Sequence, residues 1–186
     1  MTQHVAFFGS QAALLYVKQA LKSFPVDNDL SDNYYLAYGT PCILCCSMAF
    51  EALVNEIFLF KCSLPHWDEL KLRSKADVLF ELKEKTIDWS KGDFQRINQL
   101  INVRNWLSHH KEPYLGLANA DGYWVQSEER KHVVPKINIL RELKKSSVQK
   151  YYQAVRNAGI EIFKLWDYEE IGLDSLVTEQ YEPLIW

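Results

Sequence analysis

Residues 102–110 read Asn-Val-Arg-Asn-Trp-Leu-Ser-His-His, a dense set of side chains able to bind anions and move protons. They fall inside a stretch that otherwise reads as an amphipathic helix, so the cluster is either chemistry or a solvated helix end. A second polar set lies upstream. Ser47, Glu51 and Asn55 recur every four residues through an otherwise apolar run, which makes them one stripe on a helix.

Helical geometry, with a turn of about 100° per residue, places each group. With Ile101 at zero, Phe94 lies at about +20°, Ile97 at about −40°, and Leu100 and Leu107 at about −100° to −120°. Arg104 falls at about −60°, Ser108 at about −20° and Asn105 at about +40°, so Arg104 extends the core-facing arc. A guanidinium placed there needs an anion or hydrogen-bond acceptors, because an unpaired buried charge costs several kcal/mol or more. Glu51 lies among Leu44, Val54 and Phe58 on its own wheel, so its carboxylate also points into packed surroundings. The expectation is that Glu51 meets Arg104. Such a pair can serve a site, or it can do no more than fix helix register. His109 lies at about +80°, the edge of the arc, and Asn105 one turn earlier can hydrogen-bond and orient its ring. His110 points the other way, where a histidine near a helix C-terminus is a favourable dipole partner.

These groups need elements to hold them, and helical spacing dominates the chain. Ser10 is expected to cap a first helix carrying Ala13, Val17, Ala20, Leu21 and Phe24, which Pro25 ends. Thr40 and Pro41 read as the cap and first residue of a central helix running to about Phe60. Ser74 with Asp77 resembles a capping pair ahead of a third helix. The motif helix runs from about Asp93 to His110 and stops before Pro113. Between it and a long last helix starting near Ser146, "GYWVQSEERKHVVP" holds two β-like triplets around a polar turn. A small hairpin is expected there, stable only if packed on the bundle. The fold class is mainly α, a helical bundle in a single domain over residues 1–186, with an acidic tail from about 167 to 186.

Composition narrows the function. Apolar residues make up 48% and aromatic residues 13%, which places the chain among globular proteins rather than disordered ones. A net charge of −3 argues against a broadly basic nucleic-acid binder. The charge is uneven, however: residues 130–150 carry seven Lys or Arg against Glu142 alone, while residues 161–186 carry seven acids against Lys164. The basic segment can attract phosphate or form a solvated face. Three of the four cysteines, Cys42, Cys45 and Cys46, crowd into one apolar helix, which suits reduced packed thiols rather than disulfides. No Cys/His spacing suits zinc, and no cofactor motif such as a Gly-rich phosphate loop occurs. The N-terminus lacks the early positive charge of a signal peptide, and Glu51 and Asn55 interrupt the longest apolar run. A soluble cytoplasmic protein without a membrane span is expected.

Arg104 through His109 reads Arg-Asn-x-x-x-His, which resembles the signature of the HEPN superfamily: an arginine, four to six residues, then a histidine, often with a polar residue directly after the arginine. "AFEALVNEIF" upstream resembles that family's central helix, whose acidic or polar residue faces the motif. The order of elements is similar over most of residues 10–165. The resemblance implies a HEPN-like helical bundle that forms a homodimer with two motifs facing one cleft, and, in many members, a metal-independent endoribonuclease. It implies that Arg104 binds the scissile phosphate and that His109 is the general acid or base. Attack by the RNA 2′-hydroxyl then leaves a 2′,3′-cyclic phosphate. Asn105, Ser108, Glu51 and Asn55 become supporting residues, and Lys111, Arg130, Lys131 and Lys136 become RNA-binding ones. No cofactor is implied. RNA is the partner, with an antitoxin or regulatory protein as a further one for members that act as toxins or antiviral effectors.

The motif leaves alternatives open. His110 satisfies a five-residue spacing as His109 satisfies four. Some family toxins carry a tyrosine two residues after the histidine, where a partner enzyme modifies them; that position here is Lys111. Other members keep the fold without nuclease activity and bind nucleotides or proteins as scaffolds. An unrelated bundle with a register-setting ion pair is the third reading.

Overall fold

Leu14, Val17 and Phe24 bury one side of the first helix, α1 (Phe8–Ser23), and the chain leaves the helix at Pro25. In the computed structural model, residues 8–25, 31–62, 64–109 and 139–167 are described, and over them the chain is mainly helical with no strand. The expected hairpin and most of the acidic tail lie outside the described residues.

The central element differs from the sequence expectation. Helix α2 (Asp32–Tyr34) runs into a wide π turn (Tyr35–Gly39) and then into α3 (Thr40–Lys61), as one continuous rod. Thr40 therefore caps nothing, and the helix begins eight residues earlier, at Asp32. Pro41 accounts for both facts. It has no N–H to give the Ala37 carbonyl, and its ring crowds that turn, so the ladder widens just ahead of it. Gly39 lets the widened turn dock. A Cβ there would sit 2.3 Å from the Leu143 carbonyl oxygen and 2.7 Å from its Cβ.

Ile43, Cys46, Ala49, Phe50, Leu53, Val54 and Ile57 bury α3 on most sides, as expected for a central helix. Around it pack α1, α4 (Leu72–Glu81), α5 (Gly92–His109) and α7 (Lys145–Leu165). The rod from Asp32 to Leu59 is long and apolar enough to cross a membrane, but 56% of its most apolar window is buried inside the bundle. A core helix passes that test for the same reason.

Two expected caps are replaced by tertiary contacts. Ser10 lies inside α1, and its hydroxyl donates to Glu56 Oε2 of α3 at 2.7 Å. The Gly9 N–H donates to Oε1 of the same carboxylate at 2.9 Å. Glu56 thus supplies from another helix the acceptor that a capping side chain supplies locally. Helix α4 starts at Leu72, ahead of Ser74, and Asp77 accepts from the Trp89 indole at 2.6 Å instead of closing a capping box. The short α6 (Ile139–Glu142) precedes α7.

Candidate functional site

Helix α5 carries the motif. Its buried residues are Phe94, Ile97, Leu100 and Val103, so its core-facing arc centres between Ile97 and Leu100, and Ile101 is only partly buried. The shift has consequences one turn later. Arg104 stays on the inner side, while Asn105 and Ser108 are exposed. Ser108, one turn beyond Arg104, is exposed near the end of the helix.

Helix α3 meets Arg104 with two members of its polar stripe. Arg104 Nη2 donates to Glu51 Oε2 at 2.8 Å, and Nε donates to Ser47 Oγ at 3.3 Å. Nη1 donates to Asn105 Oδ1 at 3.1 Å. Ser47 is buried at 1% exposure. The ion pair is not: its side chains are 26% exposed for Arg104 and 39% for Glu51. It sits at the rim of the bundle, where water still reaches it, rather than in packed surroundings as the helical wheel suggested. Among the described residues three donors of the guanidinium are committed out of five, which leaves two N–H groups for a further acceptor.

Asn55, the third member of the stripe, does not join this group. Its Oδ1 accepts from Trp67 Nε1 and from Lys75 Nζ, both at 3.1 Å. Trp67 stacks on Phe58 with centroids 3.5 Å apart, and Lys75 lies over the Trp67 ring, so Asn55 helps to close one edge of the core. The Asn105 carbonyl accepts from Arg104; its expected bond to the His109 ring falls on a side chain outside the described residues. His109 is the last helical residue of α5, and its side chain lies outside what is described. His110, Lys111, Arg130, Lys131 and Lys136 also lie outside the described residues.

Sequence reasoning placed Ser47 on the polar stripe but did not count it among the site residues; the four-residue spacing was the available signal. Trp67 and Lys75 carried no signal, because they reach Asn55 from the loop and helix that follow α3. Among the described residues no three His, Cys, Asp or Glu side chains gather in a way that could hold a metal ion. The thiols of α3 are held protonated. Burial, and then the neighbouring Cys45, push Cys42 up to about 11, and burial holds Cys46 well above the ordinary thiol range.

No family model, curated protein or solved structure matches the chain.

Proposed function

We propose that this chain is a metal-independent endoribonuclease of HEPN type, acting as a homodimer in the cytoplasm, with a toxin or antiviral role. The observation that carries this reading is the state of Arg104. It is held in one orientation by Glu51, Ser47 and Asn105, is part-exposed, and keeps two N–H donors uncommitted among the described residues. A fixed guanidinium of this kind suits two oxygens of a phosphodiester and the extra charge of its pentacovalent transition state.

His109 follows five residues later, about 7.5 Å along the helix and about 140° around it. The family resemblance supplies the second copy, whose Arg104 and His109 would complete the site. In the proposed reaction one His109 imidazole accepts the 2′-hydroxyl proton. The 2′-oxygen attacks phosphorus, the bond to the 5′-oxygen breaks, and the second His109 protonates that oxygen. The products are a 2′,3′-cyclic phosphate and a 5′-hydroxyl end.

A labelled RNA incubated in EDTA with the wild type, Arg104→Ala and His109→Ala tests the proposal. Cleavage by the wild type alone is the expected result, and equal cleavage by all three rejects the assignment. One observation favours a second reading, a non-catalytic nucleotide- or protein-binding module. Glu51 already neutralises Arg104, as it would in a purely architectural pair. No cleavage by the wild type, with retained ligand binding, is the outcome that supports it.

A further inference from the structure

The polar stripe of α3 meets a second cation one turn beyond the first. Asn55 follows Glu51 by four residues, about 6 Å along the helix and about 40° around it. Its Oδ1 accepts from Lys75 Nζ of α4 at 3.1 Å, as Glu51 Oε2 accepts from Arg104 Nη2 of α5 at 2.8 Å. Two helices thus bring an ammonium and a guanidinium to consecutive turns of one stripe.

Packing alone does not explain this lysine. Lys75 is 5% exposed, and among the described residues no carboxylate pairs with it. Its ammonium has the Asn55 carbonyl and, 5.5 Å away, the centroid of the Trp67 ring. A methionine would cover Trp67 without the cost of desolvating a charge. The Trp67 indole also donates to Asn55 Oδ1, at 3.1 Å, so two donors hold the amide by its oxygen. Among the described residues this leaves two Lys75 N–H groups and the Asn55 amide nitrogen uncommitted, next to the two N–H groups of Arg104.

Charge selects the occupant. Arg104 and Lys75 stand against Glu51, so the group is positive by one. Acids on the neighbouring elements are engaged elsewhere: Glu56 by Ser10 and Gly9, Glu69 by His66, and Asp77 by the Trp89 indole, while Asp68 is exposed. Lys71, one turn before Lys75 at the start of α4, is exposed and adds a positive charge on the same side. Residues 110–138, outside the described residues, hold Lys111, Arg130, Lys131 and Lys136 against Glu112, Asp121, Glu128 and Glu129, and so bring no net charge. The acids of residues 168–186 follow Asp167, which lies 3.7 Å from Lys83, past the end of α4 that is far from Lys75.

Two cations with uncommitted N–H groups on consecutive turns match consecutive phosphates of one strand, whose spacing in an extended strand is close to one helical turn. Glu51 and Asn55 are part-exposed, so the approach to the ammonium runs along the stripe itself. We propose that Lys75 and Asn55 form a second phosphate subsite: with the cut phosphate on Arg104, the neighbouring phosphate of the RNA strand sits on Lys75. This rests on the RNA-cleaving reading above and adds a substrate requirement to it, a charged linkage next to the one that is cut. Trp67 is buried and stacked on Phe58, so it offers no face to a base, and the subsite reads charge rather than sequence.

Calorimetric titration with a trinucleotide of 2′-O-methyluridine tests it; the strand has no free 2′-hydroxyl and is not cut. Two forms are compared, one with both linkages charged and one with a linkage made neutral as a methylphosphonate. In the wild type the neutral linkage is expected to weaken binding about tenfold. In Lys75→Met, which keeps an apolar stem over Trp67, the two forms should bind within about twofold of each other, and the salt dependence of the charged form should flatten. The melting temperature of Lys75→Met should hold or rise, since an apolar chain replaces a buried charge. Lys75→Gln gives a second reading if Lys75→Met fails to fold by circular dichroism. The same penalty in wild type and variant overturns the subsite, as does no penalty in the wild type or no binding by it. The two proposals fail differently. Wild type that shows the Lys75-dependent penalty but cuts no RNA overturns the nuclease. Wild type that cuts RNA while the penalty is unchanged in Lys75→Met overturns the subsite alone.

Discussion

Glu51→Gln separates what the ion pair does for the fold from what it does for the site. The glutamine keeps the shape and can still accept from Arg104 Nη2, but it removes the charge. The pair is part-exposed, at 26% and 39%, so solvent screens it and its worth belongs with surface pairs, about 0.5–1 kcal/mol. That corresponds to a fall in melting temperature of about 1–4 °C for a chain of this size. A double-mutant cycle with Arg104→Gln should return a coupling of the same size, shrinking as salt is raised. The effect on RNA cleavage should be much larger, about tenfold to a hundredfold, because a guanidinium that wanders by an ångström no longer meets the transition state. Urea unfolding gives the first quantity and single-turnover cleavage the second. A coupling of about 3 kcal/mol or more would mark a buried clamp instead. A loss of cleavage no greater than the loss of folded protein would refute the positioning role.

Three further outcomes follow from the packing. Gly39→Ala forces a methyl group against the Leu143 carbonyl and should destabilise the protein by about 2 kcal/mol, read from the urea midpoint; an unchanged midpoint would deny the close approach. Burial, and then the bond to Glu142, raise the Tyr151 phenol above its ordinary 10.0. The unfolded chain therefore ionises first, so stability is complete below about pH 10 and falls as pH rises above it. Tyr151→Phe should flatten that alkaline slope; an identical slope in both proteins would contradict the assignment. With a thiol reagent near pH 8, Cys45 and Cys62, each part-exposed, should react before Cys42 and Cys46, and all four should react together in urea. Equal native rates would contradict the burial.

The parts that were legible in sequence are those in which local spacing and tertiary packing agree. The apolar spacing of α5 and α7 marked both helices, and the four-residue stripe on α3 anticipated the meeting of Glu51 with Arg104. Reading failed where a distant residue took over a local task. Ser10 looked like a cap because hydroxyls cap helices, but the acceptor at the start of α1 is Glu56, 46 residues away. Thr40 and Pro41 looked like a start because proline is tolerated at a first turn; a helix can also absorb it by widening. Asn55 looked like part of the motif's surroundings, yet Trp67 and Lys75 claim it from elements whose positions no helical wheel contains.

The π turn before Pro41 works as a phase shifter. One residue more than an α-helical turn needs is accommodated there, so everything upstream is rotated by about 100° relative to α3. A single rod can then hold Ile43 to Ile57 in the core while Tyr34 stays outside it. Deleting one residue between Tyr35 and Gly39 would restore the plain ladder, and the change would be felt as a rotation rather than a shortening. Tyr34 and the residues before it would swing by about 100° relative to Ile43–Ile57, with the helix itself still intact.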